Sequence, residues 1–245
     1  MKKTEMNSYE ENYWQRRRME RRRRRRQIRR KVLLLFGVSV LIVLSVWFAG
    51  GKFTEWRSRQ RLLRADNASF VGAPPFTVDL LEVNEYSRPG TPLKEINGIV
   101  VHYTANPGST AQNNRDYFNG LKDSHETKVS SHFVIGIDGE IVQCIPSTEV
   151  AYASNSRNDD TLSIECCHQD ETGTFTQETY LSLVRLTGWL CQRFGLDSSD
   201  VIRHYDVTGK ICPKYYVDHP QEWEKFLQDV DAQIKEVEKE VRAAS

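Results

Sequence analysis

The stretch "NGIVVHYTA" at residues 97–105 shows the pattern on which the fold depends. Its short apolar run, bounded by polar and turn-forming residues, predicts a strand that ends at His102. The stretch "VIRH" at residues 201–204 predicts a second short strand that ends in the same way, at His204. Since the ends of strands project side chains into clefts, the two histidines predict a site at one edge of a sheet.

Short apolar runs alternate with helical stretches from about residue 76, which predicts a mixed α/β domain. Residues 131–146 read as a hairpin with a two-residue turn at Asp138-Gly139, and residues 161–167 read as a further strand. Helices are predicted over residues 110–122, 176–195 and 220–243, with a cap near Ser109 or Thr110, a stop at Gly195 and a start at Pro220. This order predicts a central mixed β-sheet flanked by helices.

Charge is distributed very unevenly along the chain. The net charge is +1, but 19 Lys and Arg stand against 5 Asp and Glu up to residue 64, and 15 against 28 beyond it. The basic run at residues 16–31 leads directly into "VLLLFGVSVLIVLSVWFA" at residues 32–49, which carries no charge. At about 1.5 Å per residue this segment reaches roughly 27 Å, close to the hydrocarbon thickness of a bilayer.

We therefore predict one transmembrane helix over residues 32–49, because "WFAGGKF" is a poor exit for a cleaved signal peptide. The excess of Lys and Arg before it places a basic tail, residues 1–31, in the cytoplasm and the rest of the chain outside the cell membrane. An arm that binds nucleic acid is the rival interpretation of the arginines. Their position against the apolar segment favours topology, so no nucleic-acid partner is predicted.

Residues 50–75 carry no sustained apolar period and predict a juxtamembrane tether to an extracellular domain at residues 76–245. Phe53, Trp56, Gln60 and Leu63 share one helical face, which can rest on the membrane surface.

Three residues form a candidate metal site: His102, His204 and Cys212. Two histidines and a cysteine supply the three protein ligands of a catalytic zinc that keeps its fourth position open. The alternative is that each histidine is only a hydrogen-bonded strand end. Glu165, a carboxylate that closes the apolar strand of "TLSIECC", can accept a proton, and Lys210 can stabilise an oxyanion from the loop that carries Cys212.

Four separated motifs carry a resemblance to a known family: "IVVHYTAN", "SSHFVIGIDGEIVQCIP", "NDDTLSIECC" and "RHYDVTGKICPKY". They resemble the zinc-dependent N-acetylmuramoyl-L-alanine amidases of the type 2 amidase family, which is related to phage amidase lysozymes and peptidoglycan recognition proteins. The resemblance covers about residues 90–220. It implies a sheet flanked by helices, zinc on His102, His204 and Cys212, and catalysis by Glu165 with Lys210. Some relatives carry a tyrosine where this chain has Ser131, so catalysis is expected to rest on Glu165.

The resemblance implies an enzyme that hydrolyses the amide between N-acetylmuramic acid and L-alanine in peptidoglycan. Together with the predicted transmembrane helix, this predicts a membrane-anchored enzyme, which we expect to be a monomer. A non-catalytic peptidoglycan-binding module and a zinc peptidase that cuts within the stem peptide are the alternatives. His132, Tyr103 and Asn155 are candidate substrate contacts. His125, His168 and His219 belong to no motif that suggests a partner, and we expect them to be surface or structural residues.

The other four cysteines occupy apolar positions: Cys144, Cys166, Cys167 and Cys191. Buried free thiols are expected. Because an external location permits disulfides, a bond from Cys144 to Cys166 or Cys167 is the alternative.

Overall fold

The protein is represented by a computed structural model that describes Tyr13, Met19, Arg23, Arg24, residues 31–48 and 50–53, Trp56, Gln60 and residues 70–244. Most of the predicted basic tail lies outside these residues. Much of the predicted tether also lies outside these residues. Because this part includes Leu63, the helical face predicted to rest on the membrane surface is not fully described. The chain divides into two compact units, Met1–Trp56 and Arg57–Ser245, which are described separately.

The first unit contains helix α1, Lys31–Phe53, whose 23 residues include a window of mean hydropathy 2.7. None of that window is buried within the protein. By length and composition α1 can cross a bilayer, since 23 residues extend about 34 Å. The helix starts one residue before the predicted span and continues four residues beyond it.

The second unit is built on one sheet, whose strands in the described part of the chain follow the order β1-β4-β3-β5-β2-β6. The strands are β1 (Thr77–Val78), β2 (Ile99–Tyr103), β3 (Phe133–Ile135), β4 (Ile141–Gln143), β5 (Leu162–Cys166) and β6 (Val201–Arg203). Only the pairing of β3 with β4 is antiparallel. The predicted mixed sheet is confirmed.

The helices of this unit are α2 (Ala111–Ser124), α3 (Gln177–Phe194), α4 (His204–Thr208), α5 (Lys214–Asp218) and α6 (Pro220–Ala244). Their ends follow the predicted signals. Thr110 caps α2 by accepting a hydrogen bond from the Asn113 N–H, and Gly195 ends α3 at φ +67°. A left-handed residue at this position suits glycine, which has no Cβ to clash with the preceding carbonyl.

The two faces of the sheet carry different side chains. Alternation along β2 and β5 turns Ile99, Val101, Leu162 and Ile164 towards a core that includes residues of α3 and α6. The intervening residues, which include His102 and Glu165, therefore point to the opposite face. There α2 contacts β3 and β4 at one end of the sheet, while the carboxyl ends of β2 and β5 carry polar side chains.

The predicted hairpin is present, but its connection is longer than the two residues expected. The connection runs over residues 136–140, and only Gly139 has a positive φ, at +80°. Hydroxyl groups near the start of α3 donate to three carbonyls of this loop: Thr179 to Gly136, Thr176 to Ile137 and Ser182 to Gly139. These tertiary hydrogen bonds hold the wider loop against α3.

The folded domain begins before the predicted boundary at residue 76. Phe70 stacks on Trp189 of α3 with ring centroids 6.1 Å apart, and the Arg193 guanidinium lies over the Phe70 ring. Phe76 contacts Phe133 edge-on at 6.0 Å and packs on the same core. Residues 70–76 thus belong to the domain, because their aromatic rings extend its core.

This packing predicts the cost of removing one ring. We expect Phe76→Ala to lower the free energy of unfolding by roughly 2 kcal/mol, less than the ~3–5 kcal/mol of a fully buried phenylalanine. Denaturant titration followed by tryptophan fluorescence measures this change. Val78→Ala, at a side chain that is 59% exposed, is the control and should change it by less than about 0.5 kcal/mol. Equal effects of the two substitutions would exclude residues 70–76 from the core.

Candidate metal centre and active site

The parallel register of three strands brings the main site residues together. His102 on β2 is paired with Glu165 on β5, and Val101 is paired with Arg203 on β6. His204 follows directly as the first residue of α4, so it stands beside His102 with ring centroids 4.7 Å apart. Parallel strands end at the same sheet edge, which explains why residues about 40 to 100 positions apart meet here.

Cys212 reaches the two histidines from the loop after α4. Its carbonyl accepts a hydrogen bond from the Tyr205 N–H at 2.9 Å, which closes this loop against the helix. The Cys212 Sγ lies 3.8 Å from the His102 Nδ1. One ligand atom from each of His102, His204 and Cys212 lies within 4.8 Å of the other two, and all three residues are buried.

The chemistry of this donor set fits zinc. The Nδ1 of His204 is buried and has no hydrogen-bond partner among the described residues, an arrangement that is costly unless the atom binds a ligand. Burial and the neighbouring positive charges lower the pKa of both histidines, so their imidazoles are held neutral, the form that coordinates a metal. Two imidazole nitrogens and one sulfur match the ligand types and number of catalytic zinc sites.

Glu165 lies beside this cluster, with Oε1 4.0 Å from the His102 Nδ1. Its Oε2 is buried and makes no hydrogen bond to any described residue. Burial raises the pKa of the Glu165 carboxyl to about 8, while the charge of Lys210 acts in the opposite direction. A carboxyl group that titrates near neutral pH can both accept and donate a proton.

Lys210 is exposed on the loop between α4 and Cys212. Its charge lowers the pKa of His102, His204, Glu165 and Cys212, which places the ammonium within electrostatic reach of the whole cluster. Burial nevertheless raises the pKa of the Cys212 thiol to about 12. Since zinc binds the thiolate, metal binding at this site is expected to displace the thiol proton.

The outward nitrogens of both histidines contact neighbouring residues of one loop. The Nε2 of His102 lies 3.2 Å from the Ser154 Oγ, and the Nε2 of His204 lies 2.8 Å from the Asn155 Oδ1. The sequence indicated Asn155 as a substrate contact, whereas the structure shows it hydrogen-bonded to a candidate ligand. Ser154 was missed, because a serine about 50 residues from either histidine carries no local signal of such a contact.

His132 is only 1% exposed, and both of its ring nitrogens are used within the protein. The Nδ1 accepts a hydrogen bond from the Ser163 N–H at 3.0 Å, and the Nε2 donates to the Glu149 carbonyl at 2.8 Å. His132 therefore links β5 to the segment after β4. This placement argues against the expected contact between His132 and substrate.

Tyr103 and His168 pack together next to the cluster, with ring centroids 5.1 Å apart. Tyr103 is half-buried, and its backbone N–H acts to lower the pKa of the Cys212 thiol. His168 is 1% exposed and donates from Nδ1 to the Asp170 carbonyl at 2.7 Å. Of the three histidines without a predicted partner, His168 is buried, whereas His125 and His219 are exposed and contact tyrosine rings.

All five cysteines are buried and free. The alternative, a disulfide bond from Cys144 to Cys166 or Cys167, is therefore absent. Cys166 belongs to the core against α3, whereas Cys144 and Cys167 belong to the cluster on the other face of the sheet.

Comparison with known proteins gives a family that agrees with this geometry. Residues 92–215 match the family Amidase_2, described as N-acetylmuramoyl-L-alanine amidase. The chain belongs to this family. The match spans half of the chain and includes every residue of the cluster formed by His102, Glu165, His204, Lys210 and Cys212.

Individual relatives carry the same name. The chain is 37% identical over 166 residues to the N-acetylmuramoyl-L-alanine amidase CwlL of Bacillus licheniformis, covering 63% of this chain and 46% of that protein. It is 33% identical over 180 residues to the N-acetylmuramoyl-L-alanine amidase BlyA of Bacillus subtilis strain 168, covering 65% and 47%. The chain thus spans about half the length of the curated relatives it matches.

Solved structures show the same fold. PlyL superposes with a TM-score of 0.56 at 23% identity, covering 64% of this chain and 97% of PlyL. The catalytic domain of XlyA superposes with a TM-score of 0.56 at 24% identity, covering 64% and 99%. The Amidase_2 domain described here therefore corresponds to nearly the whole of either structure.

The buried, neutral His132 predicts a pH dependence of stability. Burial lowers its pKa from 6.5 to about 4, so between these values the unfolded chain binds more protons than the folded one. The contribution of neutral His132 to the free energy of unfolding is therefore complete above pH 6.5 and is lost as the pH falls towards 4. It amounts to roughly 3 kcal/mol. We expect the free energy of unfolding to fall less steeply over this range in His132→Gln than in the wild type.

Denaturant titrations at several pH values from 7 to 4 measure this slope. The slope is the readout, so a lower absolute stability of His132→Gln does not obscure the result. His219→Gln, at an exposed histidine, is the control and should keep the wild-type slope. Identical slopes in all three proteins would show that His132 is not held neutral.

Proposed function

We propose that this chain is a zinc-dependent amidase that hydrolyses the bond between N-acetylmuramic acid and L-alanine in peptidoglycan. The convergence of His102, His204 and Cys212 within 4.8 Å carries the proposal, together with the adjacent Glu165 carboxyl, whose Oε2 has no hydrogen-bond partner among the described residues. The substrate class rests on the Amidase_2 family and on the printed activities of the relatives CwlL and BlyA.

Zinc would be held by the Nδ1 of His102, the Nδ1 of His204 and the Sγ of Cys212. When bound there, it supplies Lewis acidity, which acidifies water and polarises a carbonyl. All three ligands come from one chain, so the site needs no second copy. We therefore propose that the enzyme acts as a monomer.

Glu165 moves the proton in this proposal. As a carboxylate it accepts a proton from the attacking water while the water oxygen bonds to the amide carbon. As a carboxylic acid it then returns that proton to the nitrogen as the carbon–nitrogen bond breaks, which releases the amino terminus of L-alanine. Burial raises the pKa of the Glu165 carboxyl, which favours the acid form that the second step requires.

Lys210 stabilises the negative charge that develops on the carbonyl oxygen. Its exposed ammonium can adjust to the substrate, because the side chain lies on a loop and not within the core. A well-placed donor of this kind contributes about 2.7–4 kcal/mol to the transition state.

Substitutions at these two residues separate an enzyme from a binding module. Glu165→Gln should keep zinc and peptidoglycan binding but lose at least about 10²-fold in hydrolysis, because the amide cannot accept the proton. Lys210→Ala should lose a similar factor. Mass spectrometry of digested purified peptidoglycan measures the release of L-alanine amino termini.

Lys239→Ala, on the exposed side of α6, is the matched control for the loss of a lysine and should retain full activity. Thermal melts of each variant exclude loss through unfolding. Full activity of Glu165→Gln would refute the assigned proton transfer. A wild type that binds peptidoglycan without cutting it would favour the binding module, and cleavage within the stem peptide would favour the peptidase.

We further propose that α1 anchors the enzyme in the cell membrane, with the amino terminus cytoplasmic and the Amidase_2 domain extracellular. The support is the length and hydropathy of α1 and the fourteen Lys and Arg residues that precede the apolar run. An external domain would meet peptidoglycan directly. The charge asymmetry explains the arginines without a nucleic-acid partner.

Protease treatment of intact protoplasts tests this orientation. We expect the protease to remove the domain from the cell surface while a cytoplasmic marker protein stays intact. Cleavage that requires lysis of the protoplasts would reverse the orientation and separate the enzyme from its substrate.

A further inference from the structure

One loop holds the outward side of both candidate histidine ligands. Ser154 and Asn155 are adjacent in sequence, and each contacts the Nε2 of a different imidazole, at 3.2 Å and 2.8 Å respectively. Ser154 and His102 are both buried, at 1% and 2% exposure. Because each imidazole is held by its Nε2, its Nδ1 is the nitrogen left for a metal.

The backbone of this loop is itself held in place. The side-chain oxygen of Asn158 accepts hydrogen bonds from the N–H groups of Ala153, at 3.1 Å, and Ser154, at 2.6 Å. Asn155 has φ +52°, a left-handed conformation that few residues other than glycine and asparagine adopt readily. The loop therefore keeps Asn155 in a left-handed backbone conformation, which asparagine tolerates, with its amide oxygen directed at His204.

The two contacts differ in what they impose chemically. The Asn155 Oδ1 can only accept, so the Nε2 of His204 must carry the hydrogen and its Nδ1 must carry the lone pair. A serine hydroxyl can donate or accept, so Ser154 orients the ring of His102 without selecting its tautomer. The Nδ1 selected in His204 is the buried atom that lacks a partner among the described residues.

We propose that Asn155 is a positioning residue, assisted by Ser154, that sets the tautomer and orientation of His204 before a metal arrives. The proposal rests on the zinc site of the proposed function. Groups that hold the outer nitrogen of a histidine ligand typically change metal affinity by about 10–100-fold when removed.

Three substitutions of Asn155 separate its side chain from its backbone. Asn155→Gly keeps the left-handed conformation and removes the acceptor, whereas Asn155→Ala removes the acceptor and adds backbone strain. Asn155→Asp keeps an acceptor oxygen at the same distance along the side chain. Ser156→Ala, at the next exposed position of the loop, is the control, and Cys212→Ser, which removes a ligand, marks complete loss of the site.

Zinc affinity of the full chain is measured by competition with a chromophoric chelator. We expect Asn155→Gly and Asn155→Ala to bind zinc about 10–100-fold more weakly than the wild type, and Asn155→Asp and Ser156→Ala to bind it within about threefold. Ser154→Ala should weaken binding by about tenfold. Wild-type affinity in Asn155→Gly would show that only the backbone conformation matters and would overturn the proposal.

A second measurement needs no metal. Nitrogen-15 NMR of the metal-free protein reports the tautomer of His204, which should carry its hydrogen on Nε2 in the wild type and lose this preference in Asn155→Gly. An unchanged tautomer in Asn155→Gly overturns the proposal even if affinity falls. A wild type without measurable zinc affinity would overturn the proposed function together with this metal role, whereas equal zinc affinity in wild type and Asn155→Gly overturns the positioning role alone.

Discussion

The backbone hydrogen bonds that pair β2 with β5 and β6 in parallel are the interaction on which the site depends. They place His102 opposite Glu165 and bring His204 to the same edge directly after β6. A shift of one residue in either pairing would turn the partner side chain to the opposite face of the sheet, into the core against α3 and α6. Apolar packing on that face makes such a shift costly, so the core sets the geometry of the cluster.

The cluster itself contributes little to stability and much to reactivity. His204 Nδ1 and Glu165 Oε2 are buried without a hydrogen-bond partner in the described part of the chain, and each such atom costs on the order of 1–3 kcal/mol. The same burial raises the pKa of the Glu165 carboxyl and lowers the pKa of His102, which leaves this imidazole neutral and able to bind a metal. Sites that break the rules of polar satisfaction in this way are typically functional.

Both faces of the sheet carry buried apolar clusters, whereas the reactive cluster lies on only one of them. The face against α3 and α6 is apolar, and Phe70 and Phe76 extend it where the folded domain begins. The other face carries His132, whose two hydrogen bonds join β5 to the segment after β4, and the loop with Ser154 and Asn155. On that face His132 joins the strands, and Ser154 and Asn155 hold the candidate histidine ligands. Glu165 is the residue that can react.

Features with a local signature could be predicted from the sequence. The cap at Thr110, the stop at Gly195 and the start of α6 at Pro220 follow from short-range periodicity and backbone preferences. The strands predicted to end at His102 and His204 are present, although β2 continues to Tyr103 and His204 begins α4. The mixed sheet follows from the order of these elements. The set His102, His204, Cys212, Glu165 and Lys210 also required the four motifs that resemble the amidase family, because no local rule joins residues so far apart.

Tertiary structure alone decided the contacts that have no local signature. The hydrogen bonds of Ser154 and Asn155 to histidines about 50 residues away, the burial of His132 and His168, and the five-residue hairpin loop held by α3 all depend on how separate elements pack. The same is true of the aromatic contacts that bring residues 70–76 into the domain. Local propensity reports the conformation of a segment, whereas the partner of a side chain is determined only when the sheet and helices have assembled.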